Sequence, residues 1–387
     1  MITRRSFLKT SSLLALAPTF PAFLAKTARA AATNSDAKVL VVVQLDGGND
    51  ALNTIVPFAD PEYAKLRPRL KLDTKELLKL NDTVGLHSSL KPLGELLEQG
   101  HLAVIPGVGY PNPSRSHFQS MAIWQTAKFD PEELKTYGWL GRALDAENGT
   151  SALLGGGEVP VALRGRRSTA LSLSHTDDLI LSDTATARRS LGAESNADLL
   201  AFVRRQAVDG YSAADKMAKL THGADANYPQ TGLSDRLRRI ASLLKSDLGA
   251  RVLYTLQSGY DTHASQTNTH ANLLREFAEG VKAFFADLHE AKLAERVILL
   301  AFSEFGRTIV ENGSAGTDHG STGAVFLVGP GVKGGLIGSM PSLTDLEESE
   351  PKMTIDFRNI YATILDRWLD CSSEQVLGAK HKHLPLL

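Results

Sequence analysis

Short, nearly unbroken apolar runs alternate along the chain with stretches whose apolar residues recur every three or four positions. Val39–Leu45 is apolar except at Gln44, and Leu102–Val108, Val159–Leu163, Arg251–Leu256, Val297–Phe302 and Ala324–Val328 have a similar character. Runs of this length without polar alternation predict strands covered on both faces. Helical spacing predicts helices over Ser89–Gln99, Phe118–Ala127, Ala197–Val208, Leu233–Leu248, Ala271–Ala294 and Ile355–Leu369. In Ala271–Ala294 the residues Leu273, Leu274, Phe277, Val281, Phe284, Phe285 and Leu288 share one face. Strands and helices in alternation predict an α/β fold, a doubly wound and mostly parallel sheet with helices on both faces. Gly149–Ser195 is less periodic and richer in Gly, Ser, Thr and Arg, as expected of an inserted excursion of loops and short strands near the sheet.

The first thirty residues stand apart from this pattern. Arg4 and Arg5 precede Phe7 and Leu8, a weakly apolar run spans Ser11 to Ala25, and Ala28-Arg29-Ala30 has the small residues of a cleavage site. This resembles a twin-arginine export signal cleaved before Ala31. The other reading, a short membrane anchor, meets Pro18 and Pro21 within a run too short to span comfortably. Residues 31–387 are then expected to form a single domain, periplasmic or secreted, carried folded by the twin-arginine translocase. No later segment is long and apolar enough for a stable span.

Composition narrows the choice of partners. Of 387 residues, 43% are hydrophobic and 22% charged, as in ordinary globular proteins. Without the leader the chain keeps 37 basic and 43 acidic side chains, a formal charge of −6, which argues against nucleic acid. Cys371 is the only cysteine, so no internal disulfide is available in an oxidising compartment.

In open α/β sheets ligands bind beyond the carboxyl ends of the strands. Polar residues recur at those places. Val39–Leu45 runs into Asp46-Gly47-Gly48-Asn49-Asp50, and Leu102–Val108 is followed by "GYPNPSRSHFQSM" with Ser114, Arg115, Ser116 and His117. Asp261 and His263 lie in "SGYDTHASQ", Glu304 and Arg307 in "SEFGRT", and Asp318 and His319 in "GTDHGSTG". Carboxylates and imidazoles meeting at one sheet edge suit a divalent cation, Zn, Mn, Mg or Ca, with no thiolate on hand. Singly, each residue also has a structural reading: Asp46 as a turn residue, Ser116 as a helix cap, Arg307 as an ion pair. Their recurrence at five places is what favours a metal site, with Asp46 as a ligand and Asp50 as a helix cap or supporting residue.

The segments "LVVVQLDGGNDALNTIVP", "SRSHFQSMAIWQ", "GWLGRALD", "GYDTH", "SEFGRT", "GTDHGSTGAVFLVG" and "DFRNIYATIL" follow one another from about residue 38 to 370. In this set the chain resembles the DUF1501 family, which is similar to the alkaline phosphatase superfamily of phosphatases, sulfatases and phosphomutases. The resemblance implies an alkaline-phosphatase-like fold with two adjacent metals. It places Asp46 at a metal-binding position and Ser116 at the nucleophile's. Asp261, His263 and His319 fall at one metal site, and Glu304 where an Asp-His pair is usual. Two departures follow: Asp261 and His263 are closely spaced, and Phe305 stands where a histidine is expected. Either His117 replaces that histidine or one ion binds in place of two. "PNPSR" resembles the sulfatase sequence C/S-x-P-S-R, but the nucleophile slot would hold Pro111, which speaks against a formylglycine sulfatase.

The expected function is an exported metal-dependent hydrolase of phosphate or sulfate esters. Catalytic Ser116, Arg115 and Arg307 stand beside metal-binding Asp46, His117, Asp261, His263, Glu304, Asp318 and His319. Its substrate is a small anionic ester or an extracellular polymer. The alternative is a secreted, non-catalytic, metal-containing binding or assembly protein on the same fold. Replacing Arg4 and Arg5 together by Lys is expected to leave the precursor in the cytoplasm, read by fractionation; unimpaired export refutes the leader assignment.

Overall fold

A computed structural model describes residues 37–146, 149–173, 227–246 and 249–387. Its centre is a nine-stranded sheet. Seven strands matter here: β1 (Val39–Asp46), β2 (Leu102–Gly109), β3 (Thr150–Leu154), β4 (Thr169–Leu173), β5 (Val252–Ser258), β6 (Val297–Phe302) and β7 (Gly323–Val328). They lie in the order β2-β7-β6-β1-β5-β3-β4, with the two-residue strand Gly335–Leu336 outside β2 and Ile355–Asp356 also paired with it. β1 is parallel to both neighbours, Val42 opposite Tyr254 of β5 and Leu300 of β6. β7 alone among the seven runs against its neighbours.

The central strands are continuously apolar because both faces are covered. Val39, Val41, Val43 and Leu45 of β1 join one core with Phe277, Val281 and Phe284, while Leu40 and Val42 join another with Trp124, Trp139 and Tyr361. Four helices supply much of these cores: α1 (His117–Thr126), α2 (Gly232–Lys245), α3 (Gln266–Glu290) and α4 (Phe357–Arg367). On α4 the periodic pattern starts at Ile355, but Ile355 is in a strand and Asp356 caps the helix, accepting from Arg358 N–H at 2.9 Å.

Several expectations shift. Val159–Leu163 is no strand; Pro160 opens a single 3-10 turn, Val161–Leu163. Pro92 divides the expected Ser89–Gln99 helix into a 3-10 segment, Ser88–Leu93, and one α-helical turn, Gly94–Glu98. The start of the Gly149–Ser195 stretch contributes β3 and β4 to the main sheet itself. The remainder of that stretch, the Ala197–Val208 helix and the leader lie outside the described residues. Among the described residues no helix is long and apolar enough to cross a membrane.

Beyond β1 the chain turns through Gly47 and Gly48 into the short helix Ala51–Thr54, capped by Asp50, whose carboxylate accepts from Asn53 N–H at 3.4 Å. Asp50 is fully buried and receives Arg67 in fork geometry at 2.5 and 3.0 Å, with a further bond from Gln266. Burial opposes its ionisation, but the charge and hydrogen bonds of Arg67 outweigh that and hold its carboxyl below the usual range. Arg67 also donates to the carbonyls of Ile309 and Thr308 at 3.0 and 2.7 Å. Arg67→Ala leaves a buried carboxylate unpaired and is expected to lower the unfolding free energy by about 3–5 kcal/mol. Chemical denaturation measures this; a loss below about 1 kcal/mol would show that the pair is dispensable.

Candidate metal centre

Local backbone pairing brings the polar strand ends together. Arg307 and His319 face each other in an antiparallel bridge: Thr308 N–H donates to Asp318 O at 2.9 Å and Gly320 N–H to Gly306 O at 3.0 Å. Tyr260 N–H donates to the Asp46 carbonyl at 3.2 Å, which fixes the Asp261 loop to the end of β1. Gly47 permits that approach, since its φ is +118° and a Cβ there would lie 2.5 Å from Asp261 N.

Arg307 ties the loops to one another. Its guanidinium is buried and donates to the carbonyls of Gly48 (2.8 Å), Thr317 (3.1 Å), Tyr260 (2.9 Å) and Gly47, and to Asp261 Oδ1 (2.6 Å). Its contacts are those of a structural ion pair directed into the protein. Burial works against ionisation of Asp261, but the hydrogen bond and charge of Arg307 prevail and hold its carboxyl at about 2.

Around Asp261 stand three imidazoles. Nε2 of His117, His263 and His319 lies 3.5, 3.0 and 3.1 Å from Asp261 Oδ1, and the Nε2 atoms of His263 and His319 are 3.0 Å apart. Ligand atoms of His117, Asp261 and His319 all fall within 4.8 Å of one another, the one such group among the described residues. His117 Nε2 is buried and has no hydrogen-bond partner. Each ring is held from behind: His117 Nδ1 by Glu304 Oε1 (2.7 Å), His263 Nδ1 by Asp318 Oδ1 (2.8 Å), and His319 Nδ1 by the Arg115 carbonyl (2.8 Å). The ring of Phe305 lies 4.9 Å from both His117 and His319 and walls that side. An orphaned buried nitrogen, further imidazole nitrogens and a carboxylate oxygen form the donor set a divalent cation takes.

The remaining expected residues, Asp46, His263, Glu304, Asp318, Ser116 and Arg115, are not part of this group of three. Glu304 is buried, with one or both oxygens accepting from Gly47 N–H, Ser303 Oγ and His117. Asp318 is exposed, and the hydrogen bond from His263 keeps its carboxyl low. Asp46 receives Gln44 Nε2 at 3.0 Å, and Gln44 Oε1 in turn accepts from Tyr254 (2.6 Å) and Gln125 (3.3 Å). Ser116 is the N-cap residue of α1, yet its exposed hydroxyl makes no capping bond. Arg115 is exposed too and reaches the Glu348 carbonyl at 3.3 Å.

Two contributors escaped the sequence reading. Gln44 steers Asp46, and its signal was the single polar residue in an apolar run. Glu350 is buried in the hairpin Leu346–Glu347/Glu350–Pro351, and burial pushes its carboxyl up to about 7 despite nearby Arg115 and Arg67. No local pattern marks it.

Three comparisons bear on the chain. A family model described as "Protein of unknown function (DUF1501)" matches residues 37–378. No curated protein matches. The similar solved structures include the C-terminal periplasmic domain of EcEptC from Escherichia coli in complex with Zn, at 9% identity and TM-score 0.42, covering 76% of this chain and 73% of that one. Ps i-CgsB in complex with k-i-k-neocarrahexaose is 11% identical, with TM-score 0.40 and coverage of 89% and 73%. The alkaline phosphatase from the Antarctic bacterium TAB5 is 12% identical, with TM-score 0.30 and coverage of 76% and 92%.

Gly47→Ala is expected to destabilise the fold well beyond Gly100→Ala. Both positions have positive φ, but a Cβ at residue 100 meets nothing within 4 Å, whereas at residue 47 it meets backbone. Gly100→Ala should cost about 1–2 kcal/mol of backbone strain alone. Equal losses in denaturant melts would remove the close-approach argument.

Proposed function

The chain belongs to the DUF1501 family, and on the geometry of its site we propose that it is an exported, metal-dependent hydrolase of phosphate or sulfate esters. The observation that carries this reading is the convergence of His117, Asp261 and His319 beside a helix start whose Ser116 hydroxyl makes no capping bond. His117, Asp261 and His319, with His263 alongside, would hold the cation. Its chemistry there is Lewis acidity, which lowers the pKa of a neighbouring hydroxyl and offsets charge on an ester.

The chain's own residues do the rest. Ser116 is the nucleophile: its hydroxyl gives up its proton as its oxygen bonds to phosphorus or sulfur. The ester bond to the leaving oxygen breaks, and that oxygen takes a proton to depart as the alcohol. Water then cleaves the seryl ester to restore the hydroxyl and release phosphate, sulfate or, from a diester, a phosphate monoester. The first N–H groups of α1 favour an anionic ester, and Arg115, exposed beside them, adds positive charge. Arg307 acts at one remove, holding the Asp261 carboxylate in place. Asp46, at the end of β1 and steered by Gln44, lies on the same carboxyl edge of the sheet.

The mature protein, loaded with Zn, Mn, Mg or Ca, should turn over at least one of three chromogenic probes: a phosphate monoester, a phosphodiester or a sulfate ester. Ser116→Ala should cut kcat by roughly 10³-fold or more with metal content unchanged. Metal bound at wild-type level with no turnover of any probe would defeat the hydrolase reading and favour the non-catalytic alternative.

A further inference from the structure

The histidine cluster has a property that follows from its hydrogen bonds alone. An imidazole nitrogen facing an obligate acceptor must carry the proton. Glu304 Oε1 already accepts from Gly47 N–H at 3.0 Å, Asp318 Oδ1 from Asn312 Nδ2 at 3.3 Å, and the Arg115 carbonyl can only accept. All three rings are therefore Nδ1–H tautomers when neutral, and each presents a bare Nε2 lone pair. Those lone pairs meet at Asp261 Oδ1, itself an acceptor, and two of them face each other at 3.0 Å. Arg307 donates to the same oxygen at 2.6 Å but offers no donor to the imidazole lone pairs, so the arrangement stays repulsive unless a further positive charge lies among the four atoms.

The spacing identifies the kind of charge. A tetrahedral ion with bonds of about 2.0–2.1 Å separates its ligand atoms by roughly 3.3 Å. Asp261 Oδ1 lies 3.5, 3.0 and 3.1 Å from the Nε2 atoms of His117, His263 and His319, and those of His263 and His319 are 3.0 Å apart. The group in which every ligand atom lies within 4.8 Å of the others is His117, Asp261 and His319. Resting on the metal reading given above, we propose that this centre takes a single divalent cation on His117, Asp261 and His319, with His263 beside Asp261 and His319 on the more exposed side. Glu304, Asp318 and the Arg115 carbonyl are positioning groups that set the three tautomers, and Glu304 and Asp318 are not ligands.

One ion, and not two, follows from what surrounds Glu304. That carboxylate is buried and used in hydrogen bonds from Gly47, Ser303 and His117. Among the described residues no second group of three imidazole, thiol or carboxylate side chains comes together to hold another dication. The Phe305 ring closes the flank of His117 and His319, and the buried Arg307 cation lies beneath the same Gly47–Gly48 turn. Carboxylates that orient ligand imidazoles raise ligand basicity, and losing one typically weakens binding about 10–100-fold without removing a site.

The test is metal stoichiometry on the full mature chain, stripped with chelator and titrated with Zn²⁺ and Co²⁺. The wild type should bind one equivalent, and Co²⁺ should give the intense visible bands of a tetrahedral site. Glu304→Gln and Asp318→Asn keep an acceptor for the ring N–H. Each should retain one equivalent with affinity about 10–100-fold lower. His319→Ala and Asp261→Asn should lose most binding, with circular dichroism checking that they fold. Two equivalents in the wild type, or a whole equivalent lost in Glu304→Gln, would overturn the single-ion assignment. No uptake by folded wild type would mean that a proton fills the cluster, and would overturn it as well. One equivalent without ester turnover leaves this inference standing and removes only the hydrolase reading.

Discussion

The site depends on one buried cation that belongs to the protein. Arg307 gathers four backbone carbonyls from three loops, together with the Asp261 carboxylate. Strand-end loops carry unpaired carbonyls, and leaving several of them buried without partners costs far more than one well-placed guanidinium. Because the side chain is rigid and planar at its tip, satisfying those carbonyls also fixes the distance between the loops. Asp261 is thereby set in position before any ligand arrives.

Around that staple the polar groups form graded layers. Gln44, Tyr254 and Gln125 form a chain that reaches from the core to Asp46. Asn49 lies on the other side of the turn, accepting from Thr54 Oγ1 at 3.1 Å and lying 2.9 Å from His270 Nε2. Burial drives His270 down to about 4, so at neutral pH it is an uncharged hydrogen-bonding part of the framework. Within the site Asp261, His263 and Asp318 are exposed, His117 and His319 are half-buried, and Glu304 is buried behind them.

The strands that position the site could be read from sequence because both faces of a buried parallel strand are apolar, as in β1, β5 and β6. The candidate ligands could be read because the sheet rule says where the polar residue after such a run must point. What could not be read was the role of each carboxylate. Asp261 and Asp318 both stand within two residues of a histidine, yet one meets three Nε2 atoms and the other props a ring from behind. That distinction is set by loop conformation, including the positive-φ backbone that the Gly47-Gly48 pair signals and the pairing of Arg307 with His319, which has no local sequence signature. β3 and β4 were expected only as unplaced short strands near the sheet, because five-residue strands in a Ser/Thr-rich stretch carry too little periodicity to be located.

The strand order has a consequence for how the molecule comes into being. β1 is synthesised first among the strands, but its neighbours on the two sides, β5 and β6, begin at Val252 and Val297. Every hydrogen bond that β1 makes in the sheet therefore closes a loop of more than two hundred residues. Contacts of such long range form slowly, and until they form this largely apolar strand has two open edges. Nucleation on the nascent chain has to begin elsewhere, and the centre containing His319 is assembled only after nearly the whole polypeptide has been made. A chain interrupted before Val297 would retain the opening Asp-Gly-Gly turn with Glu304, Arg307 and His319 all absent, and would be left as an aggregation-prone half-sheet.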